Sequence, residues 1–387
     1  MIASVKKQGY DVVVVGGGIA GCCAALAAAR EDKSVLLVEK HVNLGGLATL
    51  GLISWFEPLC DGEGRKMTGG MVEEMIRLAV GCGYDNLPGI WGGKSDNEQL
   101  SDRYSTNFSP TFFSLVLDDI LRKNGVTILY DTLATYPEVD DDNVIVGITV
   151  ENIDGRLLYP CRVVIDCTGG ATVAARAGVP TRTYDNTQTY VVHDTNRQRA
   201  TEFADSGDMT KLRHWQWFKP GTETIGEVTS DVENDYLRRS KQITLAHYAG
   251  TDKNEREILT LPELPQIRLI RAIVGDETFL GRVEDIDKPV ANSIGSTGDF
   301  AHCGYRFDVP YGCLYNSDFP NLLCAGRIVS ADGNGAHVLR VVPCCCLTGQ
   351  AAGIAAAVAI EQNRSVADVY DRIKPRLESR GVAFEIK

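Results

Sequence analysis

Residues 10–40 read YDVVVVGGGIAGCCAALAAAREDKSVLLVEK. The segment Asp11–Val15, with four valines in succession, predicts a strand that is buried on both faces. The next six residues, GGGIAG, fit the pattern G-x-G-x-x-G and lead directly into an alanine-rich helix. A second apolar strand, Ser34–Val38, ends at Glu39. A strand, a glycine turn, a helix and a second strand in this register predict a dinucleotide-binding βαβ unit, and therefore an α/β protein.

Each part of this unit has a physical task. Gly16 permits the tight turn, Gly18 lets the backbone approach a pyrophosphate, and Gly21 lets the helix lie close to the sheet. The helix N-terminus offers unpaired N–H groups to the phosphates. An acidic residue at the end of the second strand accepts hydrogen bonds from a ribose. The residues predicted to bind the nucleotide here are Gly16, Gly18, Ile19, Ala20, Gly21, Glu39 and Lys40.

Composition narrows the class of protein. The chain has 387 residues, enough for two domains, and 51 acidic against 39 basic residues give a net charge of −12. This charge argues against nucleic acid or an anionic membrane as a partner. The first ten residues lack the apolar stretch of a signal peptide, and the apolar run 344–360 is too short and too weakly hydrophobic for a membrane span. Twelve cysteines without a C-x-x-C pair favour a cytoplasmic protein with reduced thiols and no metal site.

Three further motifs carry a family resemblance. GGLAT occupies positions 45–49, NLLCAGR positions 321–327, and RVVPCCCLTGQAAG positions 340–353. Together with GGGIAG, they resemble FAD-dependent oxidoreductases that have the glutathione-reductase type of FAD domain. The sequence is most similar to the broad FAD-dependent oxidoreductase family related to fumarate reductase flavoproteins. The resemblance covers residues 8–60 and 262–362 well, and the middle of the chain poorly.

The resemblance implies a fold and a cofactor. The fold is a Rossmann-like FAD-binding domain, a parallel sheet with a β-meander, plus an inserted α+β substrate or cap domain. The cofactor is one FAD, and the helix from Cys344 to Ile360 is expected to direct its positive end at the flavin. The further residues that the resemblance places near FAD are Gly45, Gly46, Leu47, Ala48, Thr49, Ala134, Thr168, Gly169, Gly326, Arg327, Arg340, Pro343, Gly349, Gln350 and Ala351.

Changes in composition along the chain predict the domain limits. Residues 8–180 and 305–362 are assigned to the FAD-binding domain, with a lid insertion at 52–105 as one interpretation and an ordinary surface insertion as the other. Residues 181–304 are assigned to the substrate or cap domain, because charge and aromatic content rise there and nucleotide glycines are missing. Residues 363–387 are assigned to a C-terminal tail that contains a charged helix.

Candidate catalytic residues come from three segments. The loop 296–316 is dense in acid–base groups, and Arg268 and Arg271 are spaced so that they can face the same side. His337 lies just before the C-terminal apolar helix. Three other histidines, at positions 193, 214 and 247, are expected to be exposed or capped. The candidates are His302, Tyr305, Arg306, Arg268, Arg271 and His337.

Missing motifs shape the predicted function. A second G-x-G-x-x-G is absent, so the sequence shows no NAD(P)H domain of its own. The expected activity is hydride transfer between flavin N5 and a small polar or carboxylate-bearing substrate, with a separate electron donor or acceptor left open. One alternative is the flavin subunit of a multi-protein electron-transfer complex, similar to heterodisulfide reductase. Another is a non-catalytic flavin-binding protein. The sequence leaves the oligomeric state open.

Overall fold

The computed structural model describes residues 5–63, 65–67, 69–81, 106–186, 188–220 and 226–384. Its strands are β1 (Val5–Lys6), β2 (Tyr10–Val15), β3 (Val35–Val38), β4 (Trp55–Phe56), β5 (Thr106–Asn107), β6 (Thr127–Leu129), β7 (Leu133–Val139), β8 (Ile145–Asn152), β9 (Gly155–Asp166), β10 (Thr181–Thr183), β11 (Tyr190–Asn196), β12 (His214–Phe218), β13 (Arg256–Thr260), β14 (Arg271–Ile273), β15 (Ser293–Gly298), β16 (Arg306–Pro310) and β17 (Leu322–Cys324). Its α-helices are α1 (Ile19–Ala29), α2 (Gly70–Gly81), α3 (Pro110–Lys123), α4 (Thr172–Ala177), α5 (Arg197–Ser206), α6 (Ser230–Ala249), α7 (Asn334–Leu339), α8 (Val342–Gln362) and α9 (Tyr370–Ser379).

The largest sheet combines a parallel part with an antiparallel meander. Strands β6, β3, β2 and β9 are parallel neighbours in that order, and β17 pairs with the C-terminal end of β9. The N-terminal half of the long β9 pairs instead with β8, which pairs with β7. The four valines of β2 are at most 3% exposed, as expected of a central parallel strand. The structure confirms the predicted α/β fold.

Two apolar helices, α1 and α8, pack against each other under this sheet. Gly349 and Gly353 of α8 lie on Ala20 and Ala24 of α1, so closely that a Cβ on either glycine would overlap an alanine carbonyl oxygen. The contacts step by four residues in the same direction on both helices, so the two helices run parallel. Both N-termini therefore point toward the same edge of the sheet.

Composition and length alone would allow α8 to cross a membrane. It has 21 residues and a mean hydropathy of 1.6, although 94% of the apolar window is buried inside the protein. The helix is thus longer than the apolar run predicted from the sequence. Packing against α1 and the sheet accounts for its composition.

The part of the sequence between the two halves of the nucleotide-binding unit forms a smaller sheet. Its strand order is β12-β11-β13, all antiparallel, and α6 covers one face. This unit has its own buried cluster, separate from the main core: Tyr190, Val192, Phe218, Tyr236, Tyr248 and Ile267. The residues of this cluster fall within the range 181–304 that was assigned to the cap domain, whose limits stay a prediction.

Two features differ from the predicted limits. The β15–β16 hairpin crosses the limit at residues 304 and 305, and its Ile294 and Phe307 belong to the main core. The C-terminal segment contains the expected helix as α9, but Ile373 and Leu377 of this helix are fully buried in that same core and are not part of a separate tail. Apolar residues at helical spacing in a charged segment account for the docking of α9. Most of the suggested lid, residues 82–105, lies outside the described residues.

Candidate active site

The glycine turn has the geometry that a dinucleotide requires. Gly16 has a φ of 100°, which favours glycine, and a Cβ on Gly21 would overlap the Gly16 carbonyl oxygen. A Cβ on Gly18 would meet nothing within 4 Å. Gly18 thus precedes α1 with open space beside its α-carbon, where a pyrophosphate can approach the helix N-terminus.

The double glycine of the GGLAT motif lies directly on this turn. Gly45 forms a parallel bridge with Gly18 and has a φ of 100°. A Cβ on Gly46 would stand 3.0 Å from the α-carbon of Gly18. The segment Leu47–Thr49 continues from this contact as one turn of 3₁₀ helix and its cap. This close contact with Gly18 gives a steric reason for the glycines of this motif, which was predicted to line the nucleotide site.

Glu39 is buried at the end of β3, with 7% of its surface exposed. Its carboxylate accepts hydrogen bonds from the backbone N–H of Gly17 at 2.6 Å and of His41 at 2.8 Å. Glu39 therefore holds the glycine turn in place, a task that the sequence did not suggest. Its contact with a ribose stays a prediction, as does that of the exposed Lys40.

The segment after β9 is held by two arginines. Arg327 Nε donates to the carbonyl of Gly169 at 2.8 Å, and Arg271 Nε donates to that of Gly170 at 3.0 Å. The hydroxyl of Thr168 accepts a hydrogen bond from the backbone N–H of Thr172. These contacts fix the backbone beside the glycine turn. Arg271 was predicted to face the same side as Arg268, and in the structure its guanidinium group instead holds the backbone of Gly170.

Asp166, the last residue of β9, holds the segment that follows this strand. The carboxylate is fully buried and accepts the backbone N–H groups of Thr168 and Ala174, each at 2.9 Å. Burial raises the pKa of Asp166 despite these hydrogen bonds. The aspartate therefore caps the turn into α4.

The start of α8 lies next to the glycine turn. Pro343 occupies the first turn of α8, and Gly326, with a φ of 83°, stands between Ala20 and Cys345. The unpaired N–H groups of α1 and α8 thus open on the same region, which can hold a long anionic cofactor along both helix ends.

The later residues of α8 have other partners. Gly349 packs on α1, Gln350 accepts a hydrogen bond from Met71 N at 3.0 Å, and Ala351 is fully buried. Packing accounts for these three residues, and their contact with FAD stays a prediction. Ala134 lies on β7, and its carbonyl is 3.4 Å from Nη1 of Arg176.

Arg268 and Arg340 form a positively charged pair near the start of α8, and His337 lies within the influence of both charges. Arg340 is partly buried, its guanidinium lies 5.1 Å from the ring of Phe300, and its Nε has no hydrogen-bond partner among the described residues. Burial and the charges of Arg268 and Arg327 lower the pKa of Arg340 to about 10. Burial also lowers the pKa of Arg268.

His337 shares the electrostatic environment of these arginines. Partial burial and the charges of Arg340 and Arg268 lower the pKa of His337. The ring is exposed to solvent, at the last turn of α7. Its neutral form is therefore favoured, and a neutral imidazole can accept a proton.

A loop brings two of the other candidates toward α7. His302 stacks on Tyr305, with ring centroids 5.0 Å apart, and its Nδ1 lies 2.8 Å from the Asp299 carboxylate. Asn334, the first residue of α7, also donates to Asp299 at 3.0 Å. His302 and Tyr305 therefore flank the helix that carries His337, and their catalytic roles stay predictions.

Arg306 has a different environment. It forms ion pairs with Asp287 at 3.1 Å and with Asp308 at 3.5 Å. Two carboxylates already neutralise its charge, so the structure offers a structural role for Arg306. Binding of substrate by this residue stays a prediction.

The structure corrects one expectation about histidines. His214 is paired with Asp194 at 2.8 Å and His247 is exposed, as expected. His193 is fully buried, and neither ring nitrogen has a hydrogen-bond partner among the described residues. The expectation that His193 is exposed or capped was therefore wrong. Its position in the strand run Tyr190–Val192 was the only signal of burial.

The fold and the glycine turn define the class of protein: an oxidoreductase that binds FAD in a Rossmann-like unit. The chain belongs to the FAD dependent oxidoreductase family, whose model matches residues 11–271 and 285–377. In the described part of the chain, no group of three or more His, Cys, Asp or Glu side chains is arranged to hold a metal ion.

Three solved structures align with most of the chain at low sequence identity. A geranylgeranyl bacteriochlorophyll reductase-like protein from Thermoplasma acidophilum is 15% identical, with a TM-score of 0.48 over 97% of this chain and 84% of that chain. The p-nitrophenol 4-monooxygenase of Pseudomonas putida is 14% identical, with a TM-score of 0.47 over 97% and 89%. The Sdh1 complex of Mycobacterium smegmatis in the apo form is 14% identical, with a TM-score of 0.48 over 97% and 73%. No curated protein matches the chain. At these identities and TM-scores, the substrates of the compared proteins cannot be assigned to this chain.

Proposed function

We propose that the protein transfers a hydride between bound FAD and a small carboxylate-bearing substrate, and that a separate molecule delivers or removes the electrons. The arrangement of the parallel sheet and the meander supports an FAD domain of the glutathione-reductase type, related to that of fumarate reductase flavoproteins. FAD supplies a two-electron acceptor and donor. The protein residues supply binding, orientation and the proton.

The proposal depends mainly on Arg268 and Arg340. Both arginines are partly buried, and the charge of one lowers the pKa of the other. Neither forms an ion pair with a carboxylate in the described part of the chain. Two neighbouring cations that are removed from water are unfavourable unless an anion lies between them. Planar guanidinium groups match a carboxylate with paired hydrogen bonds. A substrate carboxylate therefore satisfies both arginines.

His337 completes this arrangement. Its neutral imidazole, beside Arg340 and Arg268, takes up the proton that leaves the substrate oxygen or nitrogen when the neighbouring carbon loses a hydride. In the opposite direction, the protonated ring returns that proton. The arginines hold the substrate by its carboxylate while the proton moves.

Anaerobic mixing of the FAD-loaded protein with hydroxy acids, amino acids, enoates and sugars tests the proposal. A carboxylate compound is expected to bleach the flavin absorption, or to restore it after photoreduction. Substitution Arg268→Gln is expected to raise KM for that compound at least about tenfold, the loss of one charge-assisted pair. Reaction with neutral sugars alone, unaffected by Arg268→Gln, would contradict the proposal. Reoxidation by air then distinguishes an oxidase from a dehydrogenase.

The thiols support the proposed compartment. The eleven cysteines that the structure describes are all free, and most are buried. Burial raises the pKa of Cys344 and of Cys345 to about 12, which keeps both thiols protonated and unreactive. Reduced, protected thiols fit the proposed cytoplasmic location.

A further inference from the structure

His193 is a buried polar residue whose ring nitrogens make no well-formed hydrogen bond among the described residues, and the backbone of Leu52 is its hydrogen-bonding neighbour. His193 is 0% exposed, and both Nδ1 and Nε2 lack hydrogen bonds within the described ranges. Thr195, two residues along β11, has a buried Oγ1 in the same condition. Alternate residues of a strand share a face, so these unpaired groups lie on one side of the sheet. Buried polar atoms in proteins are nearly always hydrogen-bonded, so these groups can bind a polar group of a ligand when the segment that carries Leu52 moves away.

The opposite face of β11 contrasts with this one. Asp194 pairs with His214 at 2.8 Å and accepts a hydrogen bond from Tyr248 at 2.6 Å. Tyr248 belongs to α6, which covers that face. The polar side chains of β11 and β12 that face α6 are thus paired, although Ser240 Oγ of α6 itself has no partner among the described residues. Within β11, the unpaired side chains of the described chain lie on the side away from α6.

Tryptophans line the face that carries His193. Trp215 is its partner in the β11–β12 register, and its ring stands edge-on to the imidazole with centroids 5.4 Å apart. Trp215 Nε1 donates to the Ser54 hydroxyl at 3.2 Å, and Trp217 lies 5.5 Å from the ring of Trp55. The face is therefore turned toward the segment 50–55.

That segment continues from the FAD site. It follows the GGLAT motif on the glycine turn, and Ile53 N donates to the Leu47 carbonyl at 2.9 Å. Leu52 lies in this segment with a φ of 59°, which is strained for a leucine. Strain of this kind is concentrated at sites that bind or move. The face around His193 is thus joined to the cofactor site by a short, strained piece of chain.

We propose that this face and the segment 50–55 enclose the ring-binding part of the substrate pocket, where His193 hydrogen-bonds a hydroxyl or carbonyl group of an aromatic substrate. This rests on the proposed function, since the carboxylate of the same substrate is held by Arg268 and Arg340. The indole rings of Trp215 and Trp217 favour a planar ring. His193 positions and selects the substrate. The segment 50–55 shifts to admit the substrate, because the imidazole is sealed from water.

The chemical state of His193 defines the group that it recognises. Burial and the nearby charge of Arg213 lower the pKa of His193 to about 3, so the ring is neutral. A neutral imidazole offers one donor and one acceptor, which suits a hydroxyl or a carbonyl and not a second carboxylate.

Two matched probes test the proposal on the FAD-loaded protein: 4-hydroxyphenylacetate, and phenylacetate, which lacks the hydroxyl. Binding is followed by the perturbation of the flavin spectrum and by the shift in melting temperature. The wild-type protein is expected to prefer the hydroxylated probe about tenfold, the contribution of one buried hydrogen bond. His193→Leu is expected to abolish the preference without weakening phenylacetate, and His193→Gln to retain part of it.

The outcomes separate this inference from the proposed function. An unchanged preference in His193→Leu, or no binding of either probe to the wild-type protein, would overturn the role of His193. Arg268→Gln is expected to weaken both probes equally and to leave their ratio intact. If Arg268→Gln has no effect while His193→Leu removes the preference, the carboxylate site fails and the ring-binding site stands.

Discussion

Gly349 lies on Ala20, with so little space between α8 and α1 that a Cβ would stand 2.9 Å from the Cβ of Cys23 as well. Ala20 belongs to the first turn of α1, directly after the pyrophosphate-binding glycines. Residues more than three hundred positions apart thus build one region. This contact sets the separation of the two helix N-termini, and with it the length of cofactor that fits between them.

Gly349→Ala is expected to destabilise the protein by about 1–3 kcal/mol, because an added methyl group in a packed core forces a backbone shift. Urea unfolding of the apoprotein measures the change. Gly250→Ala is the matched control: the nearest atom to its Cβ is 3.9 Å away, and its change should stay within about 0.5 kcal/mol. Equal stability of the two variants would show that α1 and α8 pack less closely than described.

Gly18→Ala is expected to leave the unfolding free energy nearly unchanged and to weaken FAD binding. The Cβ meets no protein atom within 4 Å, and the φ of −65° suits alanine, so only the cofactor senses the methyl group. A loss of at least about tenfold in affinity is expected, equivalent to about 1.4 kcal/mol. Titration with FAD, followed by quenching of flavin fluorescence, gives the affinity. Unchanged binding would place the pyrophosphate away from Gly18.

Arg268→Gln is expected to stabilise the apoprotein while it impairs turnover. The substitution removes one of two neighbouring charges that burial disfavours, a change on the order of 1 kcal/mol. Arg327→Gln is the contrasting variant, because Arg327 donates to the carbonyls of Gly169 and Ile267 and its loss should destabilise. Thermal melts of both variants in the absence of FAD decide the point. Destabilisation by Arg268→Gln would mean that Arg268 has a structural partner.

His193 is expected to make the protein less stable at acidic pH. Above about pH 6.5 the ring is neutral in both folded and unfolded chains and contributes no pH dependence. As the pH falls below 6.5, the unfolded chain binds a proton that folded His193, with its pKa near 3, does not bind. Stability then falls by up to about 1.4 kcal/mol per pH unit from this residue.

Urea unfolding at pH 7, 6 and 5 measures this slope. His193→Leu should reduce the slope by about one proton. Among the groups that act on the charge of His193, Arg213 opposes protonation, whereas the Leu52 backbone and Asp194 favour it. Identical slopes for the wild type and His193→Leu would show that His193 is protonated in the folded state.

Local pattern was sufficient to predict the nucleotide-binding unit. The valines of β2, the glycine turn and α1 follow one another without interruption, so periodicity and glycine spacing define them. The parallel partner β17 was predictable only through the family resemblance, because it lies far away in sequence.

Long-range packing was not predictable in the same way. The resemblance placed Gly349 near FAD, and the contact that the structure describes for it is with Ala20 of α1. His193 is buried because the segment 50–55 docks on the cap sheet through Trp215 and Ser54, a contact that no local pattern encodes. Arg271 finds the carbonyl of Gly170, which a spacing of three residues cannot reveal.

The pairing of α1 with α8 also has a consequence for biosynthesis. A ribosome completes the first strand, turn and helix early, but the second helix emerges only when residues 342–362 have been made. A nascent chain therefore holds half a binding site during most of its translation, with the apolar surface of α1 uncovered. Cofactor loading must wait for the end of synthesis, and a chain truncated before α8 is expected to stay colourless and to aggregate.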